Sequence, residues 1–254
     1  MNDAPQPGNA AVDHTRRAVT IPRRLMPAVM ARYAGDPMQD HAAVDELESA
    51  GVIRGGHLNE MVETLIDIMT GPELVITADI AGAASHRLVT FWATATRAAV
   101  GTTFDRYQFE LMQIELGLLA FHLAQALGVN PRPALPFAGG CSLPSTALRS
   151  ARALATMEKR HAAAVLRAAG VSFEWAKRIG DALARQERTW TAESVWLRRG
   201  GESIQSRLVV LDAGEAGYWR LTESPSADLV SLQIVEFDGL LQLLLSLLPG
   251  HCER

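Results

Sequence analysis

Two cysteines and seven histidines are the residues of this 254-residue chain best suited to covalent or proton-transfer chemistry. Cys141 follows a glycine pair and comes directly before a helix that we predict to start at Pro144. A helix N-terminus lowers the pKa of a nearby thiol, and a thiolate with a histidine base is a common nucleophile. One hypothesis is therefore a hydrolase or transferase that uses Cys141. The proline- and glycine-rich surroundings favour a structural connection instead, with Ser142 or Ser145 capping the next helix.

Metal and phosphate sites need ligands at characteristic spacings, and the sequence shows none of them. The histidines form no H-x-x-x-H pair and the cysteines no C-x-x-C pair. The glycine pairs after Arg54 and Arg199 lack the spacing of a phosphate-binding loop and predict turns. His122 falls on the polar stripe of an otherwise apolar helix, where a solvated histidine is the expected role. We therefore expect neither a metal nor a cofactor.

The composition is typical of a folded, water-soluble protein, with 48% hydrophobic and 20% charged residues. The formal net charge of −4 argues against a dedicated nucleic-acid binder. With only Cys141 and Cys252 the chain has no disulfide framework, which suits the cytoplasm. The leucine-rich stretch 240–248 is shorter than the roughly 20 apolar residues of a membrane span, so we expect no membrane insertion. Residues 1–17 are polar, lack a signal sequence and are predicted to be a disordered tail.

The elements that would position these residues occur twice in the same order: helices, four short strands, then one helix. The predicted helices are Arg23–Arg32, Asp40–Ala50, Leu58–Thr70 and Glu115–Leu127, then Pro144–Met157, Glu158–Ala169, Phe173–Glu187 and Asp238–Leu248. One predicted strand, Val19–Ile21, precedes the repeated order. The four strands of the first half are Leu74–Asp79, Arg87–Ala93, Arg97–Thr102 and Arg106–Ile114. Those of the second half are Thr191–Arg199, Glu202–Leu211, Tyr218–Thr222 and Leu229–Phe237. Turn-sized gaps between strands favour antiparallel pairing.

This order predicts an α/β (α+β) fold with a central antiparallel sheet, two helical bundles and a quasi-two-fold internal repeat. The halves would be residues 18–135 and 136–254 of one domain, 18–254. Met112-Gln113-Ile114 and Leu232-Gln233-Ile234, each leading into a leucine-rich helix, support the repeat. Two independent domains are the competing interpretation.

A mixed polar and apolar face is predicted on two of the second-half strands. Trp196 and Arg198 share parity on one strand, and Gln205, Arg207 and Val209 share parity on the next. A face that combines Arg and Trp has the composition of a protein-binding patch. Ordinary surface exposure explains the same pattern equally well. A small-molecule-binding module in the same sheet is a third option, which a deep apolar pocket would favour.

Five segments together resemble one known family over residues 19–250. They are LESAGVI at Leu47–Ile53, PELVI at Pro72–Ile76, LPFAGGCSLP at Leu135–Pro144, DAGEAGYW at Asp212–Trp219, and the leucine helix that ends in Leu248-Pro249-Gly250. In order and spacing they resemble the EspG family, the cytosolic chaperones of type VII (ESX) secretion. The resemblance implies an antiparallel sheet with two helical bundles and quasi-two-fold symmetry.

The resemblance also implies a non-catalytic function. Members of that family bind the apolar tip of the PPE protein in a PE–PPE heterodimer and deliver the pair for secretion. By similarity, the contacts would come from the loop Ala81-Gly82-Ala83-Ala84-Ser85, the second-half strands and the second helical bundle. The free protein would be a monomer or a weak homodimer, and its location the cytoplasm.

Overall fold

The structure of the chain, a computed structural model, describes residues 9–37, 40–82, 85–103, 108–133, 135–155, 158–197, 201–224 and 228–249. The strands are β1 (Ala11–Asp13), β2 (Ala18–Pro22), β3 (Ile53–Arg54), β4 (His57–Leu58), β5 (Leu74–Gly82), β6 (His86–Ala93), β7 (Ala98–Thr103), β8 (Gln108–Ile114), β9 (Gly140–Pro144), β10 (Arg188–Leu197), β11 (Ser203–Asp212), β12 (Tyr218–Glu223) and β13 (Leu229–Val235). The α-helices are α1 (Met26–Tyr33), α2 (His41–Ser49), α3 (Glu60–Thr70), α4 (Leu119–Leu127), α5 (Ser145–Ala155), α6 (Lys159–Ala168), α7 (Phe173–Ala184) and α8 (Phe237–Leu245).

Hydrogen bonding orders the strands as β1-β2-β8-β7-β6-β5-β10-β11-β12-β13-β9, and β3 pairs with β4 in a hairpin of its own. The pairings with a resolved register are antiparallel. The prediction of a mixed α and β fold around an antiparallel sheet is thereby confirmed. The quasi-two-fold repeat stays a prediction. No helix among the described residues combines the length and the apolar character that crossing a lipid bilayer requires.

The chain divides into two compact units whose boundaries cross the sequence several times. The first unit comprises Met1–Thr77, Arg87–Leu123 and Ser194–Gln205, and the second comprises Ala78–His86, Ala124–Glu193 and Ser206–Arg254. Both units draw residues from both predicted halves, so neither unit coincides with a half. The assignment of 18–254 to a single domain stays a prediction.

The core of the first unit forms where α3 packs on β7 and β8. The Asn59 side chain caps α3 by accepting a hydrogen bond from the Met61 amide at 3.0 Å. The apolar face of α3 is fully buried and consists of Val62, Leu65, Ile66 and Ile68. They pack with Val19 and Ile21 of β2 and Leu111 of β8 in one hydrophobic cluster.

In the second unit α5, α6 and α7 pack against one another. Small residues on their inner faces allow close approach, among them Ala151, Ala162 and Ala176, each fully buried. The same cluster includes Trp219 of β12, whose ring meets that of Trp175 edge to face at a centroid distance of 6.2 Å. This three-helix layer agrees with a bundle in the second half of the sequence.

Two segments predicted to be irregular form strands instead. Residues 11–13 pair with β2, Val12 lying opposite Val19, so the prediction of a disordered tail over 1–17 is wrong for these residues. Residues 1–8 lie outside the described part of the chain. In the proline-rich link, β9 pairs with β13, Cys141 lying opposite Leu232. Both strands are short, β1 pairing with the adjacent β2 and β9 with the distant β13, so local periodicity does not reveal them.

Candidate functional site

A groove in the second unit runs between α5 and strands β10 to β13, with a cavity volume of about 530 Å³. We call it the α5 groove. Its apolar lining residues are Leu148, Leu183, Val209, Leu211, Leu221, Val230 and Leu232. Its polar lining residues are Ser145, Arg149, Arg152, Thr189, Thr191, Arg207, Glu223 and Asp228. An apolar floor inside a polar rim is the composition of a protein-binding surface.

The alternation of β11 places two predicted residues on the α5 groove. Gln205 and Arg207 are exposed and Val209 is half-buried, whereas Leu208 and Val210 are buried on the opposite face. Side chains two residues apart in a strand share a face, so Arg207 and Val209 point to the same side. Arg207 and Val209 thus line the same groove, and their contact with a partner stays a prediction.

Helix α5 supplies two arginines that the sequence analysis did not single out. Arg149 and Arg152 are exposed and lie three residues apart, so they share one helix face at the rim of the groove. Ala147 and Ala151 are buried on the other side of the helix, and Leu148 is buried beside the arginines in the wall of the groove. The sequence of α5 alternates arginines and alanines at helical spacing, and this amphipathic pattern could have identified the two arginines as exposed.

Charges at the rim are held by hydrogen bonds from both helix and strand. Arg207 Nε lies 3.0 Å from Glu193 Oε1, and Arg207 Nη1 lies 3.5 Å from Glu223 Oε2. Arg152 Nη2 donates to Thr189 Oγ1 at 2.8 Å. At the start of α5 the Ser145 hydroxyl donates a hydrogen bond to the Asp228 carboxylate. Arg149 forms no ion pair with any described carboxylate. The rim therefore offers one arginine to an acidic group of a ligand.

The described residues of the predicted contact loop lie where β5 ends and just before β6 begins. Ala81 and Ser85 are exposed, and the Gly82 amide donates to the Ser85 carbonyl at 2.8 Å. Next to them, His86 Nε2 lies 2.6 Å from Asp79 Oδ1. These bonds hold the two strands together at this end. Ala83 and Ala84 lie outside the described residues.

The remaining predicted residues fall on different surfaces of the strands. Trp196 is only 5% exposed and its indole nitrogen is buried with no hydrogen-bond partner among described residues. Its neighbours in β10, Val195 and Leu197, are 41% and 56% exposed. Gln205 is exposed on β11, and Arg198 lies outside the described residues. Trp196 thus packs in the interior, while apolar side chains beside it face solvent.

Cys141 lies on β9 and packs against the hydrophobic core of the second unit. Burial raises the pKa of the Cys141 thiol, because an apolar environment disfavours the charged thiolate. In the described part of the chain, no hydrogen bond joins it to a histidine, and no cluster of three metal-binding side chains occurs. The α5 groove contains neither histidine nor cysteine among its described lining residues.

Comparison with known proteins identifies relatives by both sequence and fold. The EspG family matches residues 26–249 of the chain. A solved structure similar to this fold is that of the Mycobacterium tuberculosis type VII secretion system chaperone EspG5 in complex with a PE25-PPE41 dimer. The TM-score is 0.63 at 13% identity, and the match covers 92% of this chain and 97% of that one. A search of curated proteins found no match.

Proposed function

The chain belongs to the EspG family, and from that premise we propose that it is a chaperone of PE–PPE heterodimers for type VII secretion. In this role it binds the apolar tip of the PPE protein, keeps it from aggregating and releases it to the secretion apparatus. The observation that carries the proposal is the family match over residues 26–249. The likeness of fold to EspG5, a chaperone solved with a PE25-PPE41 dimer, supports it.

The α5 groove is the surface that we assign to this partner. A helical tip with apolar side chains fits an apolar floor such as that of Val209, Leu221 and Val230, and polar groups at its edge meet the arginine rim. The exposed residues of the predicted contact loop, Ala81 and Ser85, are the second contact surface in the proposal.

In this proposal the protein is not an enzyme, and it acts in the cytoplasm. The raised pKa of Cys141 supports the first point, because a nucleophilic cysteine needs a lowered pKa. A chaperone of this kind needs a preformed surface and reversible binding, and it needs no group that transfers protons. The second point rests on the family, whose members meet their clients before secretion.

Co-expression with the PE–PPE pairs encoded near its own gene tests the function. We expect one such pair to become soluble only with the chain present and to elute with it as a 1:1:1 complex in size-exclusion chromatography with light scattering. The control is the same PE–PPE pair expressed alone. Failure of every neighbouring pair to form a soluble ternary complex would contradict the proposal.

A further inference from the structure

A second concave site lies in the first unit and is lined by arginines without an ion-pair partner among the described residues. Its cavity volume is about 720 Å³, and Arg17, Arg54, Arg97 and His14 line it together with Glu60 as the one carboxylate in its described lining. We call it the arginine basin. In the described chain, no carboxylate lies within ion-pair distance of these three arginines, in contrast to Arg16 and Arg24 of the same unit, which are paired.

Arg17 is held at the basin by a tight turn between β1 and β2. It is the one described residue other than glycine with a positive φ, 51°. Asp13 Oδ1 accepts hydrogen bonds from the amides of Thr15 and Arg16, each at 3.0 Å, and the Arg17 carbonyl accepts from the Gln113 amide at 3.0 Å. A strained backbone that the surroundings fix in this way is typical of functional positions.

The other two arginines also come from turns that hydrogen bonds make rigid. Arg54 opens the β3–β4 turn, where Gly55 and Gly56 have φ values of 56° and 76°, and Arg54 pairs with His57 across the hairpin. Arg97 closes the β6–β7 turn, in which Thr94 Oγ1 accepts from the Arg97 amide at 3.1 Å. Three separate turns thus present one arginine each to the same cavity.

Part of the wall of the arginine basin consists of polar side chains that already have hydrogen-bond partners within the protein. Asn59 is buried and uses its side chain to cap α3 and to donate to the Gly51 carbonyl at 3.1 Å. Arg54 Nη2 lies 3.5 Å from His14 Nε2, at the outer limit of a hydrogen bond, which leaves the other donors of this guanidinium open. The guanidiniums are therefore the groups left to bind a ligand.

From this arrangement we propose that the arginine basin binds a phosphate-bearing ligand with two or more negative charges. Guanidinium groups bind phosphate oxygens in bidentate geometry and stay charged at all physiological pH values. A single carboxylate of a ligand would neutralise the charge of one arginine. A phosphate chain or a phosphorylated headgroup carries several negative charges and could pair with several arginines at once. This site is independent of the proposed chaperone function, because it shares no lining residue with the α5 groove.

Titration with tripolyphosphate and with inorganic phosphate, followed by calorimetry at constant ionic strength, tests the site on the full chain. We expect saturable binding of tripolyphosphate, tighter than that of inorganic phosphate. Arg54→Ala combined with Arg97→Ala should weaken it at least about tenfold, since each removes a charge-assisted contact. Arg17→Gly should act in the same direction while keeping the positive φ accessible. Arg160→Ala, an exposed arginine of α6, is the matched control and should change nothing.

Flotation with vesicles distinguishes the sources of the phosphate. Binding to phosphatidylcholine vesicles that contain phosphatidic acid, competed by tripolyphosphate and absent with phosphatidylcholine alone, identifies a lipid headgroup. Binding of tripolyphosphate without flotation identifies a soluble phosphate compound. The proposal is overturned by an absence of saturable binding at millimolar tripolyphosphate, by equal binding in the double variant, or by a poly-glutamate peptide that binds more tightly than tripolyphosphate.

Discussion

Arg132 Nη2 donates to both carboxylate oxygens of Asp212, at 2.9 Å each, and the Asp212 side chain is 1% exposed. The same nitrogen reaches Glu187 Oε2 at 2.7 Å, and Arg188 Nε lies 3.2 Å from Asp212 Oδ2. Burial lowers the pKa of Arg132, but its hydrogen bonds to Asp212 and Glu187 outweigh burial and raise it. The proline-rich link is thus tied to the end of β11 by a buried ion pair.

Replacing Arg132 by methionine should lower the free energy of unfolding by about 3 kcal/mol, since a buried carboxylate loses its principal partner. Urea denaturation followed by circular dichroism measures the loss. Arg16→Met is the control: Arg16 pairs with Glu110 at 3.1 Å but is 57% exposed, so the expected change is below about 1 kcal/mol. Equal losses in the two variants would contradict a dominant role for burial.

Changing Arg207 to glutamate should weaken the PE–PPE complex at least about tenfold, because the α5 groove loses a rim arginine and gains an acid. Biolayer interferometry with the purified heterodimer measures the affinity. Arg185→Glu is a matched control, since both side chains are 55% exposed and ion-paired, Arg185 with Glu215 at 3.3 Å. Unchanged affinity of the Arg207 variant, with the fold intact, would remove the groove from the binding surface.

Gly140 should not tolerate a side chain, because a Cβ there would clash with the backbone carbonyl oxygen of Leu232. We expect Gly140→Ala to lower the free energy of unfolding by about 2 kcal/mol by pushing β9 away from β13. Differential scanning calorimetry gives the change. A Cβ at Gly117 meets no atom within 4 Å, so Gly117→Ala is the control and should be neutral. A neutral Gly140→Ala would mean that β9 shifts freely.

Cys141 should react slowly with iodoacetamide near neutral pH. Burial raises the pKa of the folded thiol, so its thiolate appears at a higher pH than that of a small free thiol. The unfolded state ionises first, and the stability that the thiol contributes is lost as the pH rises through the folded pKa. The rate of alkylation against pH, measured in a Cys252→Ser variant with glutathione as reference, checks this. Reaction faster than glutathione at pH 7 would favour the nucleophile hypothesis.

Much of the fold was accessible from the sequence because long elements have strong periodicity. The predicted strand Leu74–Asp79 forms within β5, and the predicted helix Leu58–Thr70 begins only two residues later, at Glu60. Predicted helix ends were less accurate: the one expected to run to Glu187 stops at Ala184. The short strands β1 and β9 were missed because tertiary pairing, and not local pattern, makes them strands.

The candidate site was only partly accessible for a related reason. The last residues of β10 are apolar on both faces, Trp196 on one face and Val195 and Leu197 on the other. Alternation shows which residues share a face but not which face is buried, so it placed Trp196 with the exposed residues of β11. The structure buries Trp196 and exposes Val195 and Leu197. The structure exposes Arg207, as its parity with Gln205 on β11 suggested, and its contact with a partner stays a prediction.

The strand order begins with β1 and ends with β9, two of the shorter strands, of three and five residues. Free strand edges invite pairing with other chains, and brevity together with glycine and proline makes an edge a poor template. Gly140 starts β9 and Pro144 ends it. Such short edge strands disfavour strand-to-strand polymerisation between copies of the chain.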